Sequence, residues 1–388
     1  MLKLLRIIFA NGVFMSEKYK SSGEIRLQST LDRIFYIGPP VAILDIKSFS
    51  TDELKAWLSS MSYKPFRAGQ IQNWLFKGLA RSFEEMENVP LDLRELLIQT
   101  FRINSLEESQ RTESTDGTIK FAFRTHDGHF IETVMIPGLD RYSVCVSTQV
   151  GCAMGCTFCR TATMGQIRNL ETGEILEQVI QVKRMLQERD LDITNIIFMG
   201  MGEPMHNLAN VHRTCEILHH RQYFNLGAKR MTVSTSGVVP LLMEFIALDT
   251  PCNLAVSLNG TNDAMRSKLM PVNLKWPIAE LMAAVDAYIE KTGEWVTLEY
   301  ILIKGITCTP QAAKELLQLT QERRVKINAI VLNNPERPGG LEPPTRREID
   351  EFLEIVREGQ VKITLRTPRG RDILAACGQL AIQQKKVV

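Results

Sequence analysis

The feature that most constrains the fold is a repeated alternation of strand and helix patterns that begins at Tyr142. Short apolar runs such as TNIIFMG and WVTLEYILI predict buried strands, and the segments between them carry apolar residues at helical spacing. About six such βα units predict a parallel sheet that is closed, or nearly closed, into a barrel. We therefore expect an α/β fold, a partial (βα)6 TIM-like barrel, with functional side chains at the carboxyl ends of its strands.

The residues before the barrel lack this alternation. Three helical patterns predict a small helical domain, the polar stretch 104–117 predicts a linker or turn, and the segment around Asp127 and Gly128 predicts a β-hairpin. Met15 is an alternative start within an N-terminal extension. The predicted extension, helical domain, linker with hairpin, and barrel domain occupy residues 1–44, 45–103, 104–141 and 142–388.

Composition excludes few functions. An apolar content of 44% is enough for a large core. The charge is nearly balanced, with 46 basic and 44 acidic residues, so net charge neither requires nor excludes binding of nucleic acid, and any RNA-binding surface must be local. No apolar run approaches the roughly 20 residues that span a bilayer. Four of the eight cysteines lie between 145 and 159, which indicates a reduced chain. We expect a cytoplasmic protein that does not enter a membrane.

Three of these cysteines, Cys152, Cys156 and Cys159, have the spacing C-x₃-C-x₂-C directly after the first barrel strand. Thiolates at such a place select zinc, copper(I) or an iron–sulfur cluster. A structural zinc site needs a fourth ligand, whereas a cluster held by three cysteines leaves one iron open. The spacing favours the cluster, with zinc or inert buried thiols as the alternatives. Candidate fourth zinc ligands are His206, His212, His219 and His220.

The segment CAMGCTFC resembles the signature of radical S-adenosylmethionine (SAM) enzymes. This resemblance implies a [4Fe–4S] cluster whose open iron binds SAM, and a 5′-deoxyadenosyl radical formed on reduction. The segment FMGMGEP resembles the element that holds the ammonium group of SAM, which assigns Gly202 and Glu203 to the cofactor. A plain turn with a solvated glutamate is the alternative.

Polar side chains also end the next two strands. Ser234 lies in TVSTSG, and Ser257, Leu258 and Asn259 lie in AVSLNG. Hydroxyl groups at such positions often only cap helices. Because three successive strand ends carry polar groups at one mouth of the barrel, we interpret them together as a SAM pocket.

Several longer blocks together resemble the RlmN/Cfr family of radical SAM RNA methyltransferases, with STSGVVP closer to RlmN. The quoted blocks are CVSTQVGCAMGCTFC, FMGMGEP, TVSTSGVVP, AVSLNGTNDAMRSKLMPVN and RGRDILAACGQLA, and the resemblance covers residues 45–382. It implies a radical SAM barrel and methylation of carbon 2 of an adenine in 23S ribosomal RNA and, in some members, in tRNA. It also implies two SAM molecules per turnover and an electron donor such as flavodoxin or ferredoxin.

The same resemblance assigns roles to four more residues. Cys377 accepts a methyl group as an S-methylcysteine intermediate, and Cys145 breaks the resulting protein–RNA tether by forming a disulfide. Glu132 accepts the carbon-2 proton, and Asn333 contacts SAM, with Asn334 as the neighbouring alternative. Without the resemblance, a lone cysteine is usually a small core residue and a hairpin glutamate is usually solvated.

The family motif SLH is SLN in this chain, so Asn259 replaces a histidine, and an amide cannot titrate near neutral pH. This departure keeps open a carbon-8 target, another RNA, or a radical SAM reaction on a substrate other than RNA. An alternative of another class is a zinc-stabilised RNA-binding module without catalysis. We expect a monomer whose helical domain binds RNA by analogy with the family, and whose RTPRGR arginines either hold phosphates or form a solvated face.

Overall fold

A computed structural model gives the fold of residues 44–333 and 340–380. The chain divides into two units, Met1–Ala42 and Ile43–Val388, and the description concerns the second. The predicted extension, apart from Leu44, and the alternative SAM contact Asn334 lie outside the described residues.

The N-terminal part is helical, as predicted. Helix α1 begins after Ser50 because Ser50 Oγ accepts a hydrogen bond from Glu53 N at 3.0 Å while Glu53 Oε2 accepts one from Ser50 N at 2.8 Å. Two short parallel strands flank the helices. The elements are β1 Leu44–Asp45, α1 Thr51–Ser60, α2 Arg67–Phe76, α3 Leu91–Thr100 and β2 Phe101–Arg102.

Buried charges attach this helical part to the barrel. Lys47 is 1% exposed, and its Nζ lies 3.1 Å from Asp45 Oδ1 and 3.2 Å from Glu177 Oε2. Arg184 Nη1 lies 3.3 Å from the other oxygen of Glu177. Because removing one partner leaves an uncompensated charge in the interior, this network strongly favours one arrangement of the two parts.

Three antiparallel strands follow, β3 Leu106–Glu113, β4 Ile119–Thr125 and β5 Phe130–Pro137. The hairpin predicted around Asp127 and Gly128 is the connection between β4 and β5. The linker predicted at 104–117 is wrong, because most of it is β3. This strand pairs with β4 alone in the described sheet and exposes most of its side chains, so its polar sequence lacks the alternation of a half-buried strand.

The barrel elements alternate as the periodicity predicts. They are β6 Tyr142–Cys145, β7 Gln149–Cys152, β8 Gly165–Asn169, α4 Thr172–Gln187, β9 Asn195–Phe198, α5 Leu208–His219, β10 Met231–Thr235, α6 Val239–Leu248, β11 Asn253–Ser257, α7 Asp263–Leu269, α8 Ile278–Thr292, β12 Val296–Leu302, α9 Pro310–Thr320, β13 Val325–Val331, α10 Arg346–Glu358 and β14 Lys362–Arg366. Helix α10 shows why the helical periodicity is visible in the sequence, because its buried residues form one stripe: Ile349, Phe352, Leu353 and Val356.

The main sheet has the order β14-β13-β12-β11-β10-β9-β6-β5-β4-β3. Strands β6 and β9 to β14 are parallel, which confirms the predicted α/β fold, and β5 to β3 continue the same sheet antiparallel. The single strand predicted for YSVCVSTQV is divided: β6 ends at Cys145, and β7 pairs with β8 in a separate sheet that carries Cys152. The hairpin is therefore part of the barrel wall and not a linker.

The segment 367–380 connects the two ends of this sheet. After β14 it reaches the β3–β4 turn, where Ser114 Oγ donates to Asp372 Oδ1 at 2.6 Å and Gly370 N donates to Asp116 Oδ2 at 3.0 Å. Farther along, Arg160 N donates to the Gly378 carbonyl oxygen at 2.8 Å. We call residues 367–380 the closing segment. In the part of the chain that the structure describes, no helix is long and apolar enough to cross a membrane.

Candidate active site

A cavity of about 980 Å³, measured to its open mouth, lies at the carboxyl ends of the parallel strands. It collects side chains from the loops after β7, β9, β10, β11 and β13 and from the closing segment. Ten of the residues predicted from the sequence line it: Cys152, Cys156, Cys159, Gly202, Glu203, Ser234, Ser257, Asn259, Asn333 and Cys377. Leu258, Cys145 and Glu132 are buried nearby but do not line it.

The three motif cysteines share one side of this cavity. Burial raises the pKa of Cys152 to about 12 and also raises that of Cys156, so both are neutral thiols when no metal is bound. Within residues 44–333 and 340–380, no three ligating side chains already stand in a coordination arrangement. The soft thiolates of one loop nevertheless suit an iron–sulfur cluster, and none of the four histidines considered as zinc ligands lines the cavity.

Glu203 is held rigidly at the cavity wall. Its Oε2 accepts hydrogen bonds from Ser236 N at 2.8 Å and Ser236 Oγ at 2.7 Å, and Gln149 Oε1 accepts from Glu203 N at 2.8 Å. Gly202 has φ +108°, and a Cβ there would lie 2.7 Å from Gln149 Cβ, so only glycine fits. Ser234 was predicted from the sequence and Ser236 was not, although both lie in the TVSTSG motif.

Asn259 adopts a left-handed conformation with φ +49°, which asparagine tolerates better than most residues. Its Oδ1 accepts a hydrogen bond from Ile301 N at 2.9 Å, and its Nδ2 faces Met270 Sδ at 3.4 Å. The residue that replaces the family histidine is therefore fixed by the backbone of β12. Its position in the cavity wall is the one expected from the motif.

Arg266, within the NDAMRSKLMPVN block, was not assigned a role and is fully buried. Its guanidinium donates to the carbonyl oxygens of Leu258 at 2.9 Å, Ser236 at 2.6 Å and Ser257 at 3.2 Å, and to Asn273 Oδ1 at 2.9 Å. Burial lowers the pKa of Arg266 to about 10, which still leaves it charged at neutral pH. It fixes the loops after β10 and β11 relative to each other.

Two buried oxygen atoms at the cavity wall have no hydrogen-bond partner among the described residues, Asn333 Oδ1 and Glu299 Oε2. An unsatisfied buried acceptor costs about 1–3 kcal/mol, so the cavity suits a ligand with N–H or O–H donors. The ammonium and hydroxyl groups of SAM are such donors. Glu299 was missed by the sequence analysis, although a carboxylate inside the apolar run LEYILI was a usable signal.

Cys377 and Cys145 are 232 residues apart in the chain but lie near enough in the fold for Cys377 to raise the pKa of Cys145. Cys377 lines the cavity, where desolvation raises the pKa of its thiol and Arg366 opposes that shift. Cys145 is 7% exposed, and burial, reinforced by Cys377 and opposed by Arg366, raises its pKa to about 12. Arg366, one of the RTPRGR arginines, therefore faces both thiols and is not part of a solvated face.

Glu132 is buried and not solvated, with 3% of its surface exposed. Val134 pairs with Cys145, and Glu132 lies two residues earlier on β5, so the carboxylate and the thiol are on the same face of the sheet. Glu132 Oε1 lies 3.1 Å from Lys120 Nζ, and Ser147 Oγ donates to the Glu132 carbonyl oxygen at 2.6 Å. Glu132 and Cys145 therefore lie on one face of the sheet, and Val134 is the residue directly opposite Cys145.

Comparisons with known proteins agree with this geometry. Residues 146–317 match the Radical SAM superfamily, and residues 44–103 match the Ribosomal RNA large subunit methyltransferase N-terminal domain. A probable dual-specificity RNA methyltransferase RlmN from Bacillus licheniformis is 42% identical over 342 residues, covering 88% of this chain and 94% of its own.

A dual-specificity RNA methyltransferase RlmN from Geotalea uraniireducens is 43% identical over 346 residues, covering 89% of this chain and 98% of its own. The crystal structure of a radical SAM methyltransferase from Sphaerobacter thermophilus superposes with a TM-score of 0.83 at 40% identity. It covers 87% of this chain and 98% of its own. The match therefore extends over both the helical part and the barrel.

Proposed function

The chain belongs to the RlmN family of radical SAM RNA methyltransferases, and from this premise we propose that it methylates carbon 2 of an adenine in 23S ribosomal RNA and in tRNA. Membership in the radical SAM superfamily implies SAM and a [4Fe–4S] cluster. One observation carries the proposal: Cys377 lines the same cavity as Cys152, Cys156 and Cys159. A radical SAM enzyme without a methylcysteine step would not need this cysteine.

Carbon 2 of adenine is electron-poor and has no lone pair, so it cannot attack a methyl group as an amine or thiolate does. When bound, the cluster and two SAM molecules per turnover supply a methyl group and a radical that takes a hydrogen atom from it. Cys377 Sγ carries the methyl group, and the resulting methylene radical joins the base to the protein. Asn333, Glu299 and Glu203 orient the cofactor from the cavity wall.

Release of the RNA requires two further groups of this chain. The tethered base loses one electron, which the cluster would accept when it is bound, and Glu132 accepts the carbon-2 proton. The Cys145 thiolate then attacks Cys377 Sγ, the carbon–sulfur bond breaks, and the methylene carbon takes up a proton to become the methyl group. The Cys145–Cys377 disulfide must be reduced by an external thiol before the next turnover. The closeness of these three residues supports this sequence of steps.

The remaining partners follow from the same chemistry. Reduction of the cluster requires a one-electron donor, for which we propose a flavodoxin or ferredoxin, and the helical part is proposed to bind RNA. We place the monomeric enzyme in the cytoplasm, where ribosomal RNA and reductant are both available.

The test is mass spectrometry after anaerobic reconstitution with iron, sulfide and SAM. We expect a methyl group on Cys377 and 2-methyladenosine in a 23S RNA fragment or tRNA. Cys145→Ala should accumulate a covalent protein–RNA adduct, whereas Cys377→Ala should form neither the methylcysteine nor the adduct. Cys308→Ala, a buried thiol outside the cavity lining, is the matched control and should turn over normally.

Other outcomes would select the alternatives. Full turnover by Cys377→Ala would indicate a different radical SAM reaction, and 8-methyladenosine as the product would assign carbon 8. Zinc in place of iron and sulfide would indicate a module without catalysis.

A further inference from the structure

Lys120 contacts both the carboxylate of Glu132, the proposed proton acceptor, and the closing segment, which carries Cys377. Its Nζ lies 3.1 Å from Glu132 Oε1 and donates to the carbonyl oxygen of Leu374 at 3.3 Å. Leu374 is three residues before Cys377 in the closing segment. The Lys120 side chain is 16% exposed, and that of Glu132 is 4% exposed, so the ion pair is largely shielded from water.

The strand register explains how one lysine reaches both groups. Lys120 on β4 pairs with Val134 on β5, and Val134 pairs with Cys145 on β6. Residues paired across a sheet point to the same face, so Lys120 and Cys145 belong to one row, and Glu132 is the next residue of that face along β5. The closing segment lies over this row where it crosses β4.

On the basis of the proposed function, we propose that Lys120 is a positioning residue that holds the Glu132 carboxylate at a fixed position relative to the closing segment that carries Cys377. An ammonium group has three donors and can bind a carboxylate and a backbone carbonyl together. Lys120 therefore connects Glu132 with Leu374, which are 242 residues apart in the sequence.

The backbone of the closing segment gives a second reason for this contact. Leu374 has φ +54°, a left-handed conformation that is unfavourable for a residue with a side chain. Such a conformation persists only when the surroundings hold it. The Lys120 hydrogen bond to the Leu374 carbonyl acts on this residue directly, and Asp372 anchors the chain two residues earlier through Ser114.

This arrangement predicts which step depends on Lys120. Methylation of Cys377 takes place in the cavity and does not use Glu132. Proton removal from the tethered adenine uses both Glu132 and Cys377. The base is covalently bound to Cys377, and its carbon-2 proton must be within reach of Glu132. Loss of Lys120 should therefore slow release of the tethered RNA and leave methyl loading unchanged, since a misplacement of about 1 Å can reduce a rate about 100-fold.

The experiment compares Lys120→Met, Lys120→Arg and the control Lys229→Met, whose side chain is 78% exposed and pairs with Glu294 away from the cavity. Reconstituted enzymes are given SAM, and the methyl group on Cys377 is measured by mass spectrometry. A single-turnover reaction with tRNA then gives the adduct lifetime and the amount of released product. Far-UV circular dichroism checks that each variant is folded.

We expect Lys120→Met to load Cys377 within about twofold of the parent, to release RNA about 10- to 100-fold more slowly, and to accumulate adduct. The KM for RNA should change little, and Lys120→Arg, which keeps the charge and has enough N–H donors for both contacts, should recover most of the release rate. Release at the parent rate by Lys120→Met would overturn the inference, as would equal loss of methyl loading and release. Absence of methylcysteine and adduct in the parent enzyme would instead refute the proposed function and, with it, this role.

Discussion

Cys145 is a poor nucleophile in its resting environment, because only the thiolate attacks sulfur. Burial is the main cause of its raised pKa, and Arg366 is the positive charge that opposes it. Arg366 pairs in register with Ile330, and Ile330 lines the cavity, so the guanidinium faces the barrel interior. Desolvation outweighs the effect of Arg366, so the Cys145 thiol is protonated in the resting protein.

The raised thiol pKa values also make stability depend on pH. Burial raises the pKa of Cys145 and of Cys308 to about 12. A folded-state pKa above the unfolded value of about 8.5 gives stability that is complete below that value and is lost as the pH rises toward 12. The reduced protein without its cluster should therefore lose about 1–2 kcal/mol per thiol in its free energy of unfolding by pH 10.

This prediction is checked by urea denaturation at pH 7.5 and pH 10 in the presence of a phosphine reductant. Cys308→Ala should lose less stability than the parent between the two pH values, because alanine does not titrate. An identical loss in the parent and in the variant would show that Cys308 ionises as readily when folded as when unfolded.

At the scale of elements, the loop after β9 is sensitive to a single added methyl group. Gly202→Ala would place a Cβ 2.7 Å from Gln149 Cβ and 2.9 Å from Gln149 N, in a backbone conformation with φ +108°. We expect a loss of about 2–4 kcal/mol in unfolding free energy and weaker SAM binding, since the loop carries Glu203. Thermal unfolding of the protein without cofactor measures the first effect.

The matched control is Gly69→Ala within helix α2, where an added Cβ meets no heavy atom within 4 Å. Alanine is the better helix former, so this variant should gain about 0.5–1 kcal/mol. If both alanines shifted stability in the same direction, the steric argument for Gly202 would fail.

The barrel helices were predictable because each buries one stripe at the 3.6-residue period, and the parallel strands were predictable because burial on both faces makes them short apolar runs. Strand β3 was missed because its polar residues carry no such period. Ser236 and Arg266 were missed for a different reason. Their roles depend on hydrogen bonds between loops that are distant in the sequence, and the nearest sequence signal was only that both lie in quoted motifs.

At the scale of the whole molecule, the two ends of the main sheet are joined by side chains and not by strand pairing. Asp372 accepts from Ser114 Oγ at 2.6 Å and from Thr115 N at 3.2 Å. The variant Asp372→Asn should loosen the closing segment, because a neutral amide is a weaker acceptor for both donors. We expect faster amide hydrogen exchange across residues 367–380, with the thermal midpoint shifted by no more than a few degrees.

The control for this prediction is Asp350→Asn, whose partner Arg346 is 78% exposed on helix α10. It should leave exchange in the closing segment unchanged. Equal protection in Asp372→Asn and the parent would mean that the segment is held by its other contacts, such as Arg160 N to the Gly378 carbonyl.

No periodicity could have joined Cys145 to Cys377, because their contact depends on how an open sheet is closed. The family resemblance supplied that pair, and the structure gives the physical reason for it. The three motif cysteines were different, since their spacing within one short loop is visible in the sequence alone.

The closing segment also sets an order of assembly. Its contact between Ser114 and Asp372 spans 258 residues. Closing a loop of this length costs conformational entropy before the contacts that stabilise it have formed. The barrel strands pair mostly with neighbours in the sequence and can assemble first. We therefore expect the loop of Cys152, Cys156 and Cys159 to fold during synthesis before the closing segment completes the cavity. Iron and sulfide would then have their widest access to these thiols before Cys377 is in place.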